Sequence, residues 1–368
     1  MSEIKVNSVK GISASTAAIT VNSSDGTCTA NITNRSNRNI LDNGDFRVAQ
    51  RGTAALAMTD NIYNIDRWAY VGTSSRITTQ QVEDGPPGFK YCQKVVSVGA
   101  NTPSAADSVW YKLEGYEVKP LEYGTANAKT TTLSFWFKAS ATGTYGGSVQ
   151  KHTLDRSCPF SFTVSSADTW EKKSVTIPGD TTSSTYRDTN LFSVSIKFST
   201  GCASGYLGTA GTWAGSDYRG ATGTVQIQAT NAAYFSVTGI QWEIGSIATD
   251  FEHRSYGDEV LHCQRYLQKW ISETNLFVGR GNGTATAIVG VPLAVALRAS
   301  PTITMTGTAK VFEHDASSTS TDTPAVAAWQ VNNPSMVISE TGFSGLTDDR
   351  VMSWYITGSG TLTLSAEL

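Results

Sequence analysis

"TTLSFWFKAS", Thr131 to Ser140, decides how the rest of the chain is read. Leu133, Phe135 and Phe137 fall on one side of the run and Trp136 on the other, the two-residue period of a pleated strand with one face turned to a core. The same alternation returns in "NLFSVSIKF" (Asn190 to Phe198), "TVQIQAT" (Thr224 to Thr230) and "YFSVTGIQWEIG" (Tyr234 to Gly245). Gly, Ser, Thr and Asp separate these runs at short intervals, so residues 38–254 are expected to form one elaborated jelly-roll β-sandwich. No repeat of solenoid or propeller period stands out.

Composition points the same way. The 368 residues are 39% hydrophobic but only 16% charged, enough to bury a core and far less charged than an average soluble enzyme. The surplus lies in Thr, Ser, Gly, Ala and aromatics, which suit sheets joined by tight turns. A net charge of −3 with scattered basic residues gives no surface for nucleic acid. No segment approaches the roughly 18 apolar residues of a membrane span, and "MSEIKVNSVKGIS" lacks the apolar run of a signal peptide; a soluble product of a cytoplasm is expected. Cys28, Cys92, Cys158, Cys202 and Cys263 are odd in number and widely spaced, without a CxxC pair, which favours buried free thiols over disulfides or zinc.

Three segments flank or follow the jelly roll. Residues 1–37 are strand-like but too short and polar to order alone, and read as an attachment and oligomerisation segment pairing with other chains. "FEHRSYGDEVLHCQRYLQKW", Phe251 to Trp270, reads as an amphipathic helix, placed as a connecting helix over 255–272. Ser255 would cap it with Asp258 three residues on, while Val260, Cys263, Leu267 and Trp270 form the covered stripe and His262, Arg265 and Lys269 the other. From 273 to 368, runs such as "TATAIVGVPLAVAL" and "VMSWYITGSGTLTLSA" predict a C-terminal β-sandwich. Trp270 is expected to seal the junction, with Glu243, Glu252 and Arg254 pairing locally at the exit from the jelly roll.

Catalytic chemistry has little to stand on. The four histidines, His152, His253, His262 and His314, are dispersed, and no HExxH or GxSxG occurs. His152 with Asp155 and Arg156 reads as a loop ion pair; Asp66, Glu83, Asp84 and Asp188 would have to converge to act as a glycosidase pair. No catalytic residue, cofactor or metal site is expected. Binding has more support, because sugars are held by aromatic rings against pyranose faces with polar groups on the hydroxyls. The glycine-rich loop "GCASGYLGTAGTWAGSDYRGATG", 201–223, carries Tyr206, Trp213 and Tyr218 with Asp217 and Arg219. Trp213 alternatively folds back to plug the sandwich edge or packs in a subunit interface. In "SVWYKLEGY" Trp110 and Tyr111 lie on opposite faces of a strand, so only one can face the core. Trp68, Trp136, Trp170 and Trp242 read as packing residues.

"NRNILDNGDFRVAQRGT" (37–53), "YNIDRWAY" (63–70) and "FSVTGIQWEIGSIATDFEHRSYGDEVLHCQRY" (235–266) together resemble bacteriophage virion proteins, especially tail-fibre-like proteins of marine and cyanobacterial phages. These open a carbohydrate-binding-module-like jelly roll with an N-G-D/N-F strand and close it with an LE-G-AT-FE-R strand and tail. The helix, the stretch from Pro292 to Pro301 and the opening "MSEIKVNSVKG" are similar to the same group. The resemblance implies a homotrimeric tail fibre located on the virion, joined to other virion proteins through its N-terminal segment and contacting host surface polysaccharide. It leaves a purely structural virion role and a polysaccharide-degrading enzyme as alternatives. Where related jelly rolls hold structural calcium with an acidic residue in the last strand, this chain has "SVTGIQ"; Asp45 alone cannot satisfy a cation that takes six or more oxygens, so no calcium is expected.

Overall fold

The computed structural model describes residues 6–9, 19–21, 28–30, 37–73, 75–271, 277–313, 319–321, 325–332 and 335–368. Within the N-terminal segment, Ser8–Val9, Ile19–Val21 and Cys28–Ala30 pair antiparallel with one another in a small sheet of their own. Most of the rest of 1–36, and with it most of the predicted attachment segment, lies outside the described residues.

Twelve strands build the first β unit: β1 Leu56–Ala57, β2 Tyr63–Ile65, β3 Trp68–Val71, β4 Ile77–Val82, β5 Cys92–Ser97, β6 Ala106–Glu114, β7 Thr131–Ala139, β8 Gly143–Lys151, β9 Ser157–Val164, β10 Glu171–Ile177, β11 Phe192–Cys202 and β12 Tyr234–Ile244. They form two six-stranded antiparallel sheets, β10-β7-β12-β5-β4-β1 and β9-β8-β11-β6-β3-β2. The alternation read in β7 holds: Leu133, Phe135 and Phe137 are buried between the sheets, meeting Phe162 and Phe198 edge-on at 4.8 and 5.1 Å from Phe135. Trp68, Tyr111 and Phe46 continue the aromatic core toward the other end. "TVQIQAT" is the exception. Ile227–Ala229 is a 3₁₀ turn rather than a strand, since Ile227 drops into the core while Gln228 binds Asp107 and Thr200 instead of a ladder partner.

The stretch from Asn37 to Phe46 runs against β12. Ile40 N donates to Trp242 O and Ile240 N to Gly44 O, both at 2.9 Å. A Cβ on Gly44 would lie 2.1 Å from Ile240 O, so the glycine of "NGDF" is fixed by backbone contact. Asn43 ties the same turn together through Val48 and the Asp66 carbonyl.

The helix is shorter than its sequence pattern. It spans Tyr256–Gln264 with Ser255 Oγ accepting from Asp258 N as predicted, but Leu267–Ile271 is a strand paired with Val351–Ser365. Cross-strand bonding to this fifteen-residue partner overrides the weak helical preference of "YLQKW". Trp270 therefore belongs to the second β unit, packed edge-on against Phe277 at 5.7 Å. That unit is one eight-stranded antiparallel sheet around its own core of Val289, Ile338, Trp354, Leu362 and others.

Glu243, Glu252 and Arg254 do not pair with one another. Glu243 binds Thr249 and Gln241, Glu252 accepts from Asn39 N at 2.9 Å, and Arg254 reaches Leu41 O and Asp42, so all three fasten the exit segment to neighbouring chain. Arg265 forms a bidentate pair with buried Glu114 at 2.9 and 2.8 Å, and Asn190 and Arg298 exchange hydrogen bonds of 2.7 and 2.8 Å. Arg67, fully buried, lies 3.3 Å over the Tyr266 ring, within reach of Glu367. The two β units meet through ions and amides rather than a shared apolar core.

Candidate functional site

Of the residues singled out from the sequence, Trp110 and the 217–219 stretch lie on the outer face of the β9-β8-β11-β6-β3-β2 sheet, while Tyr111 and Trp213 do not. Tyr111 faces the core, where its hydroxyl accepts from Asp42 N and Arg67 Nε. Trp110 points the other way, with the Lys112 and Lys197 ammonium groups 4.3 and 4.9 Å from its ring centroid. It is not open to solvent: only 7% of it is exposed. Ser148, Gln150, Ser195 and Lys197 surround it across the ladder, all buried. Burial pushes the Lys197 ammonium well below the ordinary lysine value, and the Arg219 charge adds to the shift.

The cover is the 201–223 loop itself. Ala214 pairs with Ser157 through two backbone bonds of 3.0 and 2.8 Å, and Asp217 accepts from Gln150 while gripping Arg219 bidentately at 2.9 Å. Burial raises the Asp217 carboxyl, but the Arg219 and Gln150 bonds outweigh it and hold the group below the usual carboxylate range. Tyr206 lies under the Arg219 guanidinium at 5.6 Å, and the Tyr218 ring packs on Gly208. Trp213 folds back onto the sandwich edge, its indole N–H donating to Pro178 O at 2.7 Å and its ring edge-on to Tyr123 at 5.5 Å. The loop's candidate residues Tyr206, Trp213, Asp217, Tyr218 and Arg219 are all half-buried, while its outer turns, such as 209–212, are exposed.

The opposite sheet carries an open groove. Across from the Ser134–Trp136 stretch of β7, the β12 register slips at a bulge where Gly239 takes φ +61°. A Cβ there would meet the Phe89 ring at 2.7 Å, so the bulge makes room for an aromatic ring on the sheet. Phe89 arrives from the "GPPGF" turn, closed by Phe89 N donating to Pro86 O. Phe251 and His253 come from the exit segment after β12, and the three rings lie 4.9–5.3 Å apart. Half-buried Trp136 and exposed Lys172 and Asp250 also line this lobe of about 230 Å³. A second lobe of about 480 Å³ shares Phe89 and His253 and adds Asp45, Arg47, Lys90, Tyr91 and Tyr256. Asp45 accepts from Arg47 Nε at 2.6 Å through one oxygen, while Oδ1 is buried with no partner.

No family model matches the chain, and no curated protein matches it. Among solved structures, a candidate sugar-binding protein of Bacteroides thetaiotaomicron is similar over 56% of this chain and 100% of its own, at 10% identity and a TM-score of 0.33. The enzymatically active domain of tailspike protein 4 of bacteriophage CBA120 covers 56% of this chain and 22% of its own, at 9% identity and TM-score 0.31. The family 11 carbohydrate-binding module of a Clostridium thermocellum cellulosomal cellulase covers 55% and 99%, at 16% identity and TM-score 0.27.

The reactive-looking residues remain separate. Asp66 binds Gln50, while Glu83, Asp84 and Asp188 each pair with a different lysine, Lys90, Lys138 and Lys119. Arg156 takes Asp180, Asp155 takes Lys151, and His152 Nδ1 bonds to neither. Cys92, Cys158, Cys202 and Cys263 are free and buried, and burial pushes the Cys92 and Cys158 thiols up to about 12. Among the described residues no group of three or more His, Cys, Asp or Glu is placed to hold a metal ion.

Phe89, Phe251 and His253 carried no functional reading in the sequence, and Trp136 was read as packing. The signal was present: a Pro-Pro-Gly turn ending in Phe, and a Phe-x-His pair just after a strand, put aromatics where loops rather than cores are expected. Their convergence depends on the bulge at Gly239, which alternation alone does not disclose.

Proposed function

We propose that this chain is a glycan-binding virion appendage protein, a tail fibre that contacts host surface polysaccharide without cleaving it. One observation carries the binding part: an accessible aromatic groove is edged by exposed charged side chains. Phe89, Trp136 and Phe251 offer flat apolar faces for a pyranose, and exposed Lys172 and Asp250 offer a donor and an acceptor for its hydroxyls. The virion assignment rests on the "NGDF" and "FEHRSYGDEVLHCQRY" resemblance. In this reading the chain works as a homotrimer attached to other virion proteins by its N-terminal segment, neither entering membranes nor binding nucleic acid. Several weak sugar contacts would gain strength by being linked, since a second binding event becomes intramolecular.

The test is binding of labelled protein to candidate host cells and their extracted polysaccharide, with polysaccharide chain length and protein mass followed in parallel. Saturable binding lost in Phe251→Ala and retained in Trp213→Ala, with a trimer mass and constant chain length, is the expected result. Absence of glycan binding by an intact trimer that holds tail or capsid proteins would replace this reading with a structural one, and shortening of the polysaccharide would replace it with an enzyme.

A further inference from the structure

A second cleft is larger than either lobe of the aromatic groove. About 980 Å³ opens between the Asn37–Asp42 stretch, the Tyr256–Gln264 helix and Val295–Ala296 of the second β unit. Its walls combine apolar side chains with basic groups that retain unused donors. Ile244 and Leu261, 50% and 42% exposed, rim it as the kind of large apolar surface that a folded chain normally covers.

The donors are the telling part. His262 donates Nδ1–H to Asp42 at 2.7 Å, which orients the ring and favours its protonated form; Nε2, a donor in that form, has no partner among the described residues. Arg265 spends Nε and Nη2 on Glu114 and keeps Nη1. Arg254 places Nη1 and Nη2 on Asp42, Leu41 O and Asn39 O, while its Nε is buried with no acceptor. Asp42 is faced by Arg254 at 3.1 Å, by His262 and by Arg67 at 3.8 Å; Glu259 lies 3.7 Å from Arg254, Glu367 3.4 Å from Arg67 and Asp258 on the cleft wall, but Arg265 Nη1 and His262 Nε2 are bonded to none of these carboxylates. Glu117, which also lines the cleft, has its carboxyl pushed up to about 7, chiefly by burial, so it is only partly ionised at neutral pH.

We propose that this interdomain cleft binds a carboxylate-bearing sugar of the uronic acid type, with the carboxylate on the spare Arg265 and His262 donors and the ring against Leu261 and Ile244. Such a ligand matches the wall, being apolar on its ring face and anionic at one edge. The inference rests on the glycan-binding reading above and adds a second site of different chemistry to it.

Calorimetric titration with oligogalacturonate and oligomannuronate, their carboxyl-reduced neutral counterparts and inorganic phosphate tests it. The acidic oligosaccharides should bind at least about tenfold more tightly than the reduced ones, and more weakly as salt rises. Leu261→Trp fills the mouth without touching an ion pair, and Arg265→Lys removes the spare guanidinium nitrogen while keeping the charge beside Glu114. Each should weaken the acidic ligand by about tenfold or more while Phe251→Ala leaves it unchanged. Equal binding of acidic and reduced ligands, an unaffected Leu261→Trp variant, or phosphate binding as tightly as the uronides would overturn the proposal. Failure of the uronides alone, with neutral glycans still bound through Phe251, removes this site only; failure of both removes the glycan reading as well.

Discussion

The two outer faces of the sandwich are both lined by aromatic and polar residues, yet one is covered and the other open. Over Trp110 the 201–223 loop supplies its own partners: Asp217 for Gln150, Arg219 for Asp217, Ala214 for Ser157. Over Trp136 no comparable loop is laid down, and Phe89, Phe251 and His253 form a wall beside it instead of a roof. A loop rich in glycine can follow a sheet closely enough to bond it, whereas an aromatic-tipped turn props itself on the sheet and leaves space alongside.

Variants can break or sharpen this contrast. Trp213→Ala should have the largest effect, removing a large ring wedged against Tyr123 at 5.5 Å together with its bond to Pro178; a loss of about 2–4 kcal/mol is expected in denaturant unfolding, with glycan capture kept. Asp217→Ala strands Gln150 and Arg219 beneath the loop, and about 1–3 kcal/mol should be lost, with proteolysis newly directed to 201–223. Gly239→Ala combines a left-handed φ of +61° with a clash at the Phe89 ring; roughly 1–2 kcal/mol of stability should go, and groove binding with it. Phe251→Ala should alter stability least, by under about 1 kcal/mol, because its ring is half-buried, while abolishing capture. Comparable capture by Phe251→Ala and wild type would erase the distinction between the faces.

The unit junction adds a pH dependence of its own. Glu117 rises from 4.5 to about 7, and His262 rises above its ordinary 6.5 through its bond to Asp42. Both groups hold their proton more tightly folded than unfolded, so their contribution is complete at low pH. It should fall as pH climbs from 4.5 through 7 and beyond. Asp42 runs oppositely, held below 3.8 by His262, Arg67 and Arg254 against the pull of burial, and its contribution is lost only in stronger acid. Melting temperature measured from pH 5 to 8 should decline, and His262→Gln should flatten the upper part of that decline.

Alternation in the chain determined the strands, because burying one face of a sheet imposes a two-residue period wherever the core lies: Leu133, Phe135 and Phe137 are legible without coordinates, as is the Ser255 cap, a contact made within four residues. The "NGDF" turn is equally local in its residues, although the reason for its glycine, the Ile240 carbonyl, is almost two hundred residues away. Tertiary structure alone decided that Leu267–Ile271 would leave the helical pattern for a strand, since the gain came from pairing with Val351–Ser365. It also decided which aromatics are open. Exposure depends on what the remaining chain lays over a face, and a residue type at a given spacing, Trp110 or Trp136, is the same before that covering exists.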